Sequence, residues 1–327
     1  MAKIGIIGAG AWGTTLAQLF SQKHDVVLWS HEIEVADCIN QKQENSHFLP
    51  GIKLSPKIIA TVAPADLKDC ELVLFVTPSR FLRSTAHLFR MLREDATLVS
   101  ATKGLESQTL KRISEIIAEE FPKNHKIAVL SGPNLSREIA QGLPAASVIA
   151  SVDHKLAQKV QELLSIPQLR LYSSDDPIGV ELGGALKNVI ALAAGIADAL
   201  KIGANAKAAL LVRGIAEITR LAVAMGAKKD TLMGLTGIGD LIATCESPLS
   251  RNHQVGIRLA KGENIETIGN SMKEVAEGVF TCPAALALAK KMKVEMPITE
   301  KVDDVLAQRL SPKDALTALM SRSLKAE

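Results

Sequence analysis

Ile4–Gly5–Ile6–Ile7–Gly8–Ala9–Gly10–Ala11–Trp12–Gly13 decides the fold class of this chain. An apolar run reaches G-x-G-x-x-G at Gly8, Gly10 and Gly13. The first glycine permits a tight turn. The second leaves room for a pyrophosphate, and the third lets a helix pack close on the strand. A helix opening here would point free N–H groups and a positive dipole end at phosphates. The motif alone is weak evidence. Here an apolar strand precedes it, a helical stretch follows, and a second apolar strand comes next, the context that a dinucleotide-binding turn requires.

Working outward, apolar runs predict strands at Lys3–Ile7, Asp25–Trp29, Ile58–Thr61, Leu72–Val76, Thr97–Ser100, Ile127–Leu130 and Ser147–Ala150. Amphipathic stretches between them predict helices at Trp12–Lys23, Ser79–Leu92, Leu110–Glu120 and His154–Leu164. Such alternation predicts βαβ units and a mostly parallel, doubly wound sheet of the Rossmann type. The pattern changes near Ser173–Pro177. Beyond it the periodicity is helical, over Ile178–Leu200, Ala206–Met225, Gln254–Lys261, Glu274–Met292, Ile298–Gln308 and Pro312–Ser321. Two domains follow: a dinucleotide-binding domain over 1–176 and an all-α substrate-binding and catalytic domain over 177–327.

Composition narrows the function. The 327 residues carry a formal charge of +3 and only 3% aromatics, so neither a basic field nor base-stacking platforms favour nucleic acid. The four cysteines, Cys38, Cys70, Cys245 and Cys282, are scattered, as reduced structural cysteines are. The seven histidines show no ligand spacing, so no metal is expected. No signal-peptide order and no uninterrupted apolar run of about 20 residues is visible, so a cytoplasmic protein without a membrane span is expected.

The second strand ends at Ser30–His31, where an NAD-selective site usually places an acid for the ribose 2′-hydroxyl. Its absence removes a repulsion against a 2′-phosphate and favours NADPH, unless Glu32 fills the acidic role.

Four further segments do not read as ordinary element interiors. Ala101–Glu106 places Lys103 directly after a strand, where the ligand crevice of a doubly wound sheet opens. Ser131–Gly132–Pro133–Asn134 is a turn after another strand. Gly183, Gly184, Ala191 and Ala194 share a helix face with Lys187. Two helical glycines cost about 1 kcal/mol each, which makes sense if a ligand or another helix comes close. A lysine in such a cleft can have a lowered pKa and transfer protons, although helix packing with Lys187 reaching to water also fits. Leu235–Leu241 places Asp240 where a helix should begin, as an N-cap or a site residue. Thr244 and Ser250–Arg251–Asn252 follow, and Arg251 offers a fork of donors for phosphate.

The order GAGAWGT (8–14), ATKGLE (101–106), SGPN (131–134), GGALKNVIA (183–191), GIGDLIATC (237–245), SRN (250–252), EG (277–278) and EMPITE (295–300) resembles the bacterial NAD(P)-dependent glycerol-3-phosphate dehydrogenases over essentially the whole chain. The resemblance implies reversible hydride transfer between NADPH or NADH and C2 of dihydroxyacetone phosphate, giving sn-glycerol 3-phosphate for glycerophospholipid synthesis. It implies Lys187 as the proton donor and acceptor, with Asp240, Lys103 and Asn188 beside it. It implies a substrate pocket of Lys103, Gly132, Asn134, Lys187, Asp240, Thr244, Ser250, Arg251 and Asn252. It implies cofactor contacts at Gly8, Gly10, Ala11, Trp12, Gly13, His31, Lys103, Ser136, Arg251, Val275 and Glu277. Asn134 stands where Thr or Ser is usual, and Ala11 and Trp12 fill a variable pair. Two other readings stay open. One is a related two-domain hydroxyacid dehydrogenase acting on a carboxylate substrate. The other is a dinucleotide sensor without chemistry, against which the joint presence of Lys103, Lys187, Asp240 and Arg251 argues. The Ala/Gly-rich helices suit a homodimer interface or an internal core equally.

Overall fold

The computed structural model describes residues 2–124, 126–272 and 275–324. Its first half runs β1 (Lys3–Ile7), α1 (Ala11–Phe20), β2 (Asp25–Trp29), α2 (Ile33–Lys42), β3 (Ile58–Thr61), β4 (Leu72–Phe75), α3 (Leu82–Leu88), β5 (Thr97–Ser100), α4 (Ile113–Glu120), β6 (Ile127–Ser131), α5 (Ser136–Ala140), β7 (Ala145–Ala150), α6 (His154–Leu164) and β8 (Leu169–Ser174). The strands form one eight-stranded sheet in the order β3-β2-β1-β4-β5-β6-β7-β8. Every neighbouring pair is parallel except β6 with β7.

The strands are apolar throughout because both faces are covered. Ile4, Ile6, Leu28 and Leu74 pack under α1, α2 and α6 on one face. Ile7, Val73, Phe75 and Leu98 pack under α3 and α4 on the other. The chain winds outward through β2 and β3, then restarts at β4 on the far side of β1. That reversal opens a crevice at the carboxyl ends of β1 and β4, where ligands of such sheets bind.

Several elements depart from the sequence reading. α2 buries only Val35, Ala36 and Ile39, a stripe too thin to stand out. β8 buries Leu169 and Leu171 but exposes Arg170, and as an edge strand it lacks the continuous apolar run of its neighbours. The helix expected from Leu110 begins at Ile113, because Leu110 has φ +61 and Arg112 forms the N-cap. The stretch Ser79–Leu92 divides into a 3₁₀ turn, Ser79–Phe81, and the shorter α3.

The second half is helical: α7 (Pro177–Ala199), α8 (Ala204–Ala224), α9 (Lys229–Leu232), a π-helical turn at Leu235–Gly239, α10 (Asp240–Glu246), α11 (Arg251–Ala260), α12 (Ile265–Ser271), α13 (Glu277–Met292), α14 (Pro297–Leu306) and α15 (Pro312–Met320). α13 begins later than expected, and Glu274 lies outside the described residues. Asp176 caps α7 by accepting from Gly179 N at 2.9 Å, and Pro177 fills the first helical position. α7 then runs through the middle of the helical half against α8, α10, α11, α13 and α14.

α7 bears on the expectation of no membrane span. It is 23 residues long with a mean hydropathy of 1.4, enough to cross a membrane by length and composition. That window is wholly buried inside the protein, so α7 is a core helix. It carries two ionisable groups inward. Glu181 accepts from Ser114 N at 2.7 Å and Arg112 Nη1 at 2.5 Å, which ties α7 to the start of α4. Lys187 is the other.

Candidate active site

The glycine turn is built as a cradle. Gly8 has φ +117, and a Cβ there would stand 2.8 Å from the Val76 carbonyl oxygen. A Cβ on Gly13 would stand 1.8 Å from the Gly8 carbonyl oxygen, so α1 sits directly on the turn. At Gly10 a Cβ would meet nothing within 4 Å. Gly10 is the N-cap of α1 and offers no side-chain acceptor, so the first N–H groups of the helix are left for a ligand in that open space. These residues fit the diphosphate of a dinucleotide. Ala11 and Trp12 flank the opening half-buried, and Trp12 Nε1 is buried without a partner. Ser136 starts α5, and its carbonyl accepts from Thr15 Oγ1 at 3.2 Å, which brings α5 beside α1. His31 is exposed just past β2, its ring 6.2 Å from that of Trp29. Ser30 is buried, and its hydroxyl donates to Glu32 Oε2 at 3.3 Å while accepting from Glu32 N at 3.2 Å. Glu32 therefore folds back on the strand end.

The second cluster lies on the other side of β1. Thr102 Oγ1 donates to Thr77 O at 2.8 Å and fixes the end of β5. From there Lys103 Nζ donates to Gly132 O at 2.9 Å and to Asp240 Oδ2 at 2.7 Å. Lys187 Nζ donates to Asp240 Oδ1 at 2.5 Å and to Thr244 Oγ1 at 2.5 Å. One carboxylate, 1% exposed, thus joins a lysine from the sheet to a lysine from the helical half. Asp240 is not the N-cap that its position suggests. Gly239 is, and the Asp240 side chain turns to the lysines. Burial pushes the Lys187 pKa down to about 8; Asp240 opposes the shift and Lys103 reinforces it.

The helical glycines serve protein packing. A Cβ on Gly183 would stand 2.5 Å from Thr236 O of the π turn. One on Gly184 would stand 2.4 Å from Ser131 Oγ at the end of β6. Both faces of the site therefore close on α7 within a van der Waals contact of its backbone.

Ser250, Asn252 and Asn188 form a third group around α11, while Asn134 and Gly132 stay against β7. Ser250 caps that helix by accepting from His253 N at 3.3 Å. Asn252 Nδ2 donates to Asn188 Oδ1 at 2.9 Å, and Asn252 Oδ1 accepts from Gly278 N at 2.9 Å. Asn188 thereby faces Asn252, and its own Nδ2 donates back to Gly184 O rather than toward Lys187. Arg251 is exposed at the start of α11, and Val275 is half-buried just before α13. Asn134 Oδ1 accepts from Ser147 Oγ at 2.6 Å, while its Nδ2 is buried without a partner. Gly132, with φ +149, could carry no Cβ because Ser147 Cα would lie 2.9 Å away.

Two contacts escape sequence reasoning. Ser147 lies inside an ordinary strand. Ser79 binds Glu277 across 198 residues of chain, and nothing local marks Ser79 as the partner of that glutamate.

Comparison with known proteins bears on this arrangement. A family model described as the NAD-dependent glycerol-3-phosphate dehydrogenase N-terminus matches residues 3–157. The companion C-terminus model matches residues 176–317. The chain is 47% identical over 330 residues to a glycerol-3-phosphate dehydrogenase (NAD(P)+) of Citrifermentans bemidjiense, covering 99% of this chain and 98% of that protein. It is 46% identical over 333 residues to the enzyme of the same name in Thermobifida fusca, covering 100% and 99%. A crystal structure of glycerol-3-phosphate dehydrogenase from Coxiella burnetii superposes with a TM-score of 0.94 at 35% identity, covering 98% of this chain and 99% of that one.

Proposed function

The chain belongs to the NAD-dependent glycerol-3-phosphate dehydrogenase family, and from that premise we propose how its crevice performs the reaction. It is an oxidoreductase that uses NADPH or NADH to reduce dihydroxyacetone phosphate to glycerol 3-phosphate. The nicotinamide, when bound, supplies the hydride; the chain supplies position and proton.

Lys187 protonates the C2 oxygen as the alkoxide develops. Asp240 and Thr244 hold its Nζ, so the ammonium has one orientation. With a pKa of about 8, it sits close to neutrality, where both loading and release of the proton are efficient. Two lysines against one carboxylate leave a net positive charge for an anionic substrate. Gly132 and Asn134 line the same crevice. Ser250, Arg251 and Asn252 bind the substrate phosphate at the start of α11, far from the reacting carbon, where binding improves orientation. Asn188 acts by holding Asn252.

Gly8, Gly10, Ala11, Trp12, Gly13 and Ser136 receive the cofactor diphosphate, and His31 faces the 2′-phosphate. Lys103, Arg251, Val275 and Glu277 meet its nicotinamide half. The dinucleotide-binding domain, 1–176, thus takes the diphosphate and adenosine half, while the helical domain, 177–327, supplies Lys187, Asp240 and the phosphate-binding groups and closes on the nicotinamide half. The product serves glycerophospholipid synthesis. Free thiols at Cys38, Cys70, Cys245 and Cys282 suit the cytoplasm. A homodimer would use a surface other than α7, which is covered within the chain.

The observation that carries the reading is the Lys103–Asp240–Lys187 bridge, buried at Asp240 and Lys187, beside the carboxyl end of β5. NADPH absorbance followed with dihydroxyacetone phosphate and a panel of 2- and 3-keto acids tests it. Turnover is expected with the phosphorylated ketone, and turnover on keto acids alone would overturn it. Lys187→Ala should lower kcat by orders of magnitude with NADPH affinity unchanged. A near-normal kcat would remove Lys187 from the chemistry.

A further inference from the structure

The segment Thr77–Phe81, which follows β4, has no assigned role. Its beginning lies against the glycine turn: the Cβ position of Gly8 is 2.8 Å from Val76 O and 3.2 Å from Thr77 Cγ2. Its end grips the helical half. Ser79 N donates to Glu277 Oε1 at 2.9 Å, and Ser79 Oγ donates to Glu277 Oε2 at 2.5 Å. The Arg80 guanidinium lies 4.4 Å from the Phe81 ring centroid and 5.0 Å from that of Phe280, one turn along α13 from Glu277. The loop that carries Lys103 rests on the same pair. Gly104 has φ +151, and a Cβ there would stand 2.6 Å from Ser79 Oγ and 3.1 Å from Glu277 Oε2.

Glu277 is the first residue of α13 but both its oxygens turn away to Ser79. Each carboxylate oxygen has a further lone pair, so the group stays an acceptor, now held in one rotamer. Its place along the cofactor follows from the sheet order. β2 lies on one side of β1, and β4 and β5 lie on the other. A dinucleotide crossing the glycine turn puts its adenosine half toward Ser30 and His31. Its nicotinamide half then reaches the side of Lys103 and Lys187, where hydride must be delivered. Ser79 and Glu277 belong to that end.

We propose that Ser79 is a positioning residue: it holds the Glu277 carboxylate at the nicotinamide end of the crevice and so couples cofactor binding to the seating of α13 on the sheet. The proposal rests on the reading of Glu277 as a cofactor contact. A carboxylate fixed there matches the carboxamide donor of a nicotinamide ring. Arg80, stacked between two phenylalanines, keeps the segment and the helix in register.

Calorimetric titration of the full chain with NADPH and with 2′-phospho-ADP-ribose, the same molecule without its nicotinamide, separates the outcomes. Ser79→Ala removes one hydrogen bond to a charged group and should weaken NADPH about tenfold, leaving 2′-phospho-ADP-ribose unchanged. Glu277→Gln should weaken NADPH at least as much and also spare the truncated ligand. Ser79→Ala that binds NADPH like the unsubstituted chain, while Glu277→Gln is weakened, overturns the role of Ser79 alone. Equal loss of both ligands in Ser79→Ala marks a merely structural contact and overturns the proposal. Full NADPH affinity in Glu277→Gln removes Glu277 from the cofactor site, and the proposal with it.

Discussion

Lys187 is an acid whose strength is set by its surroundings. Burial disfavours its charge and brings the pKa to about 8, Asp240 pulls it up, and Lys103 pushes it down. Ketone reduction needs the ammonium, and alcohol oxidation needs the neutral amine. The reduction rate should therefore fall as pH rises past about 8, and the oxidation rate should rise over the same range. Asp240→Asn deletes the stabilising charge and should move the break to lower pH. Lys103→Met deletes the repelling charge and should move it up. pH–rate profiles of the two variants check this, and a break that stays put in both would exclude Lys187 as the titrating group. At this scale the sequence was informative. It singled out Lys187, Lys103 and Asp240, though it could not show that one carboxylate serves both lysines. That depends on chain segments 137 and 53 residues apart meeting at Asp240.

At the scale of elements, α7 and α11 meet by backbone contact inside an apolar core. Gly195 would place a Cβ 2.0 Å from His253 O, and Gly256 one 2.1 Å from Leu192 O, so α7 and α11 cross with glycine against glycine. This crossing sets Asn252 beside Asn188. A different device seats α14. Its N-cap, Met296, offers no side-chain acceptor, and Glu217 of α8 supplies one instead, accepting from Ile298 N at 2.7 Å and Thr299 N at 3.2 Å. Burial raises the Glu217 pKa from 4.5 to about 7, partly offset by those N–H groups. Since the folded value lies above the unfolded one, the folded state binds the extra proton between them, and stability falls as pH rises from about 4.5 to about 7. The full shift is worth roughly 3 kcal/mol. Glu217→Gln should flatten that slope in urea denaturation at pH 5 and 7.5; an unchanged slope would exclude Glu217 as its source. Patterning located α7, α8 and α14, because each has a broad apolar stripe. It missed α2 and β8, whose few inward residues do not repeat often enough to mark a period.

At the scale of the whole molecule, the proposed cofactor path runs from β2 to α13, so different parts of the chain would meet its two ends. The adenosine end has Ser30 and His31 where an acid is usual, with Glu32 folded back on Ser30. kcat/KM for NADPH should exceed that for NADH by about tenfold, an interaction of about 1.4 kcal/mol. Glu32→Gln should widen the ratio by removing the nearest carboxylate. Steady-state kinetics with both cofactors measure it, and a ratio favouring NADH would place Glu32 on the ribose.

The sequence alone determined the glycine turn, the change from alternating to helical architecture, and the two lysines that Asp240 joins. These are local facts: a turn needs its glycines, a buried strand its apolar run, a helix its period. The tertiary structure decided how they are joined. It gave Asp240 two lysines in place of a helix cap, turned the glycines of α7 toward Thr236 and Ser131, and set Ser79 against Glu277. None of those pairs is close in sequence. Each depends on the burial of α7, which brings the helical half against the carboxyl edge of the sheet.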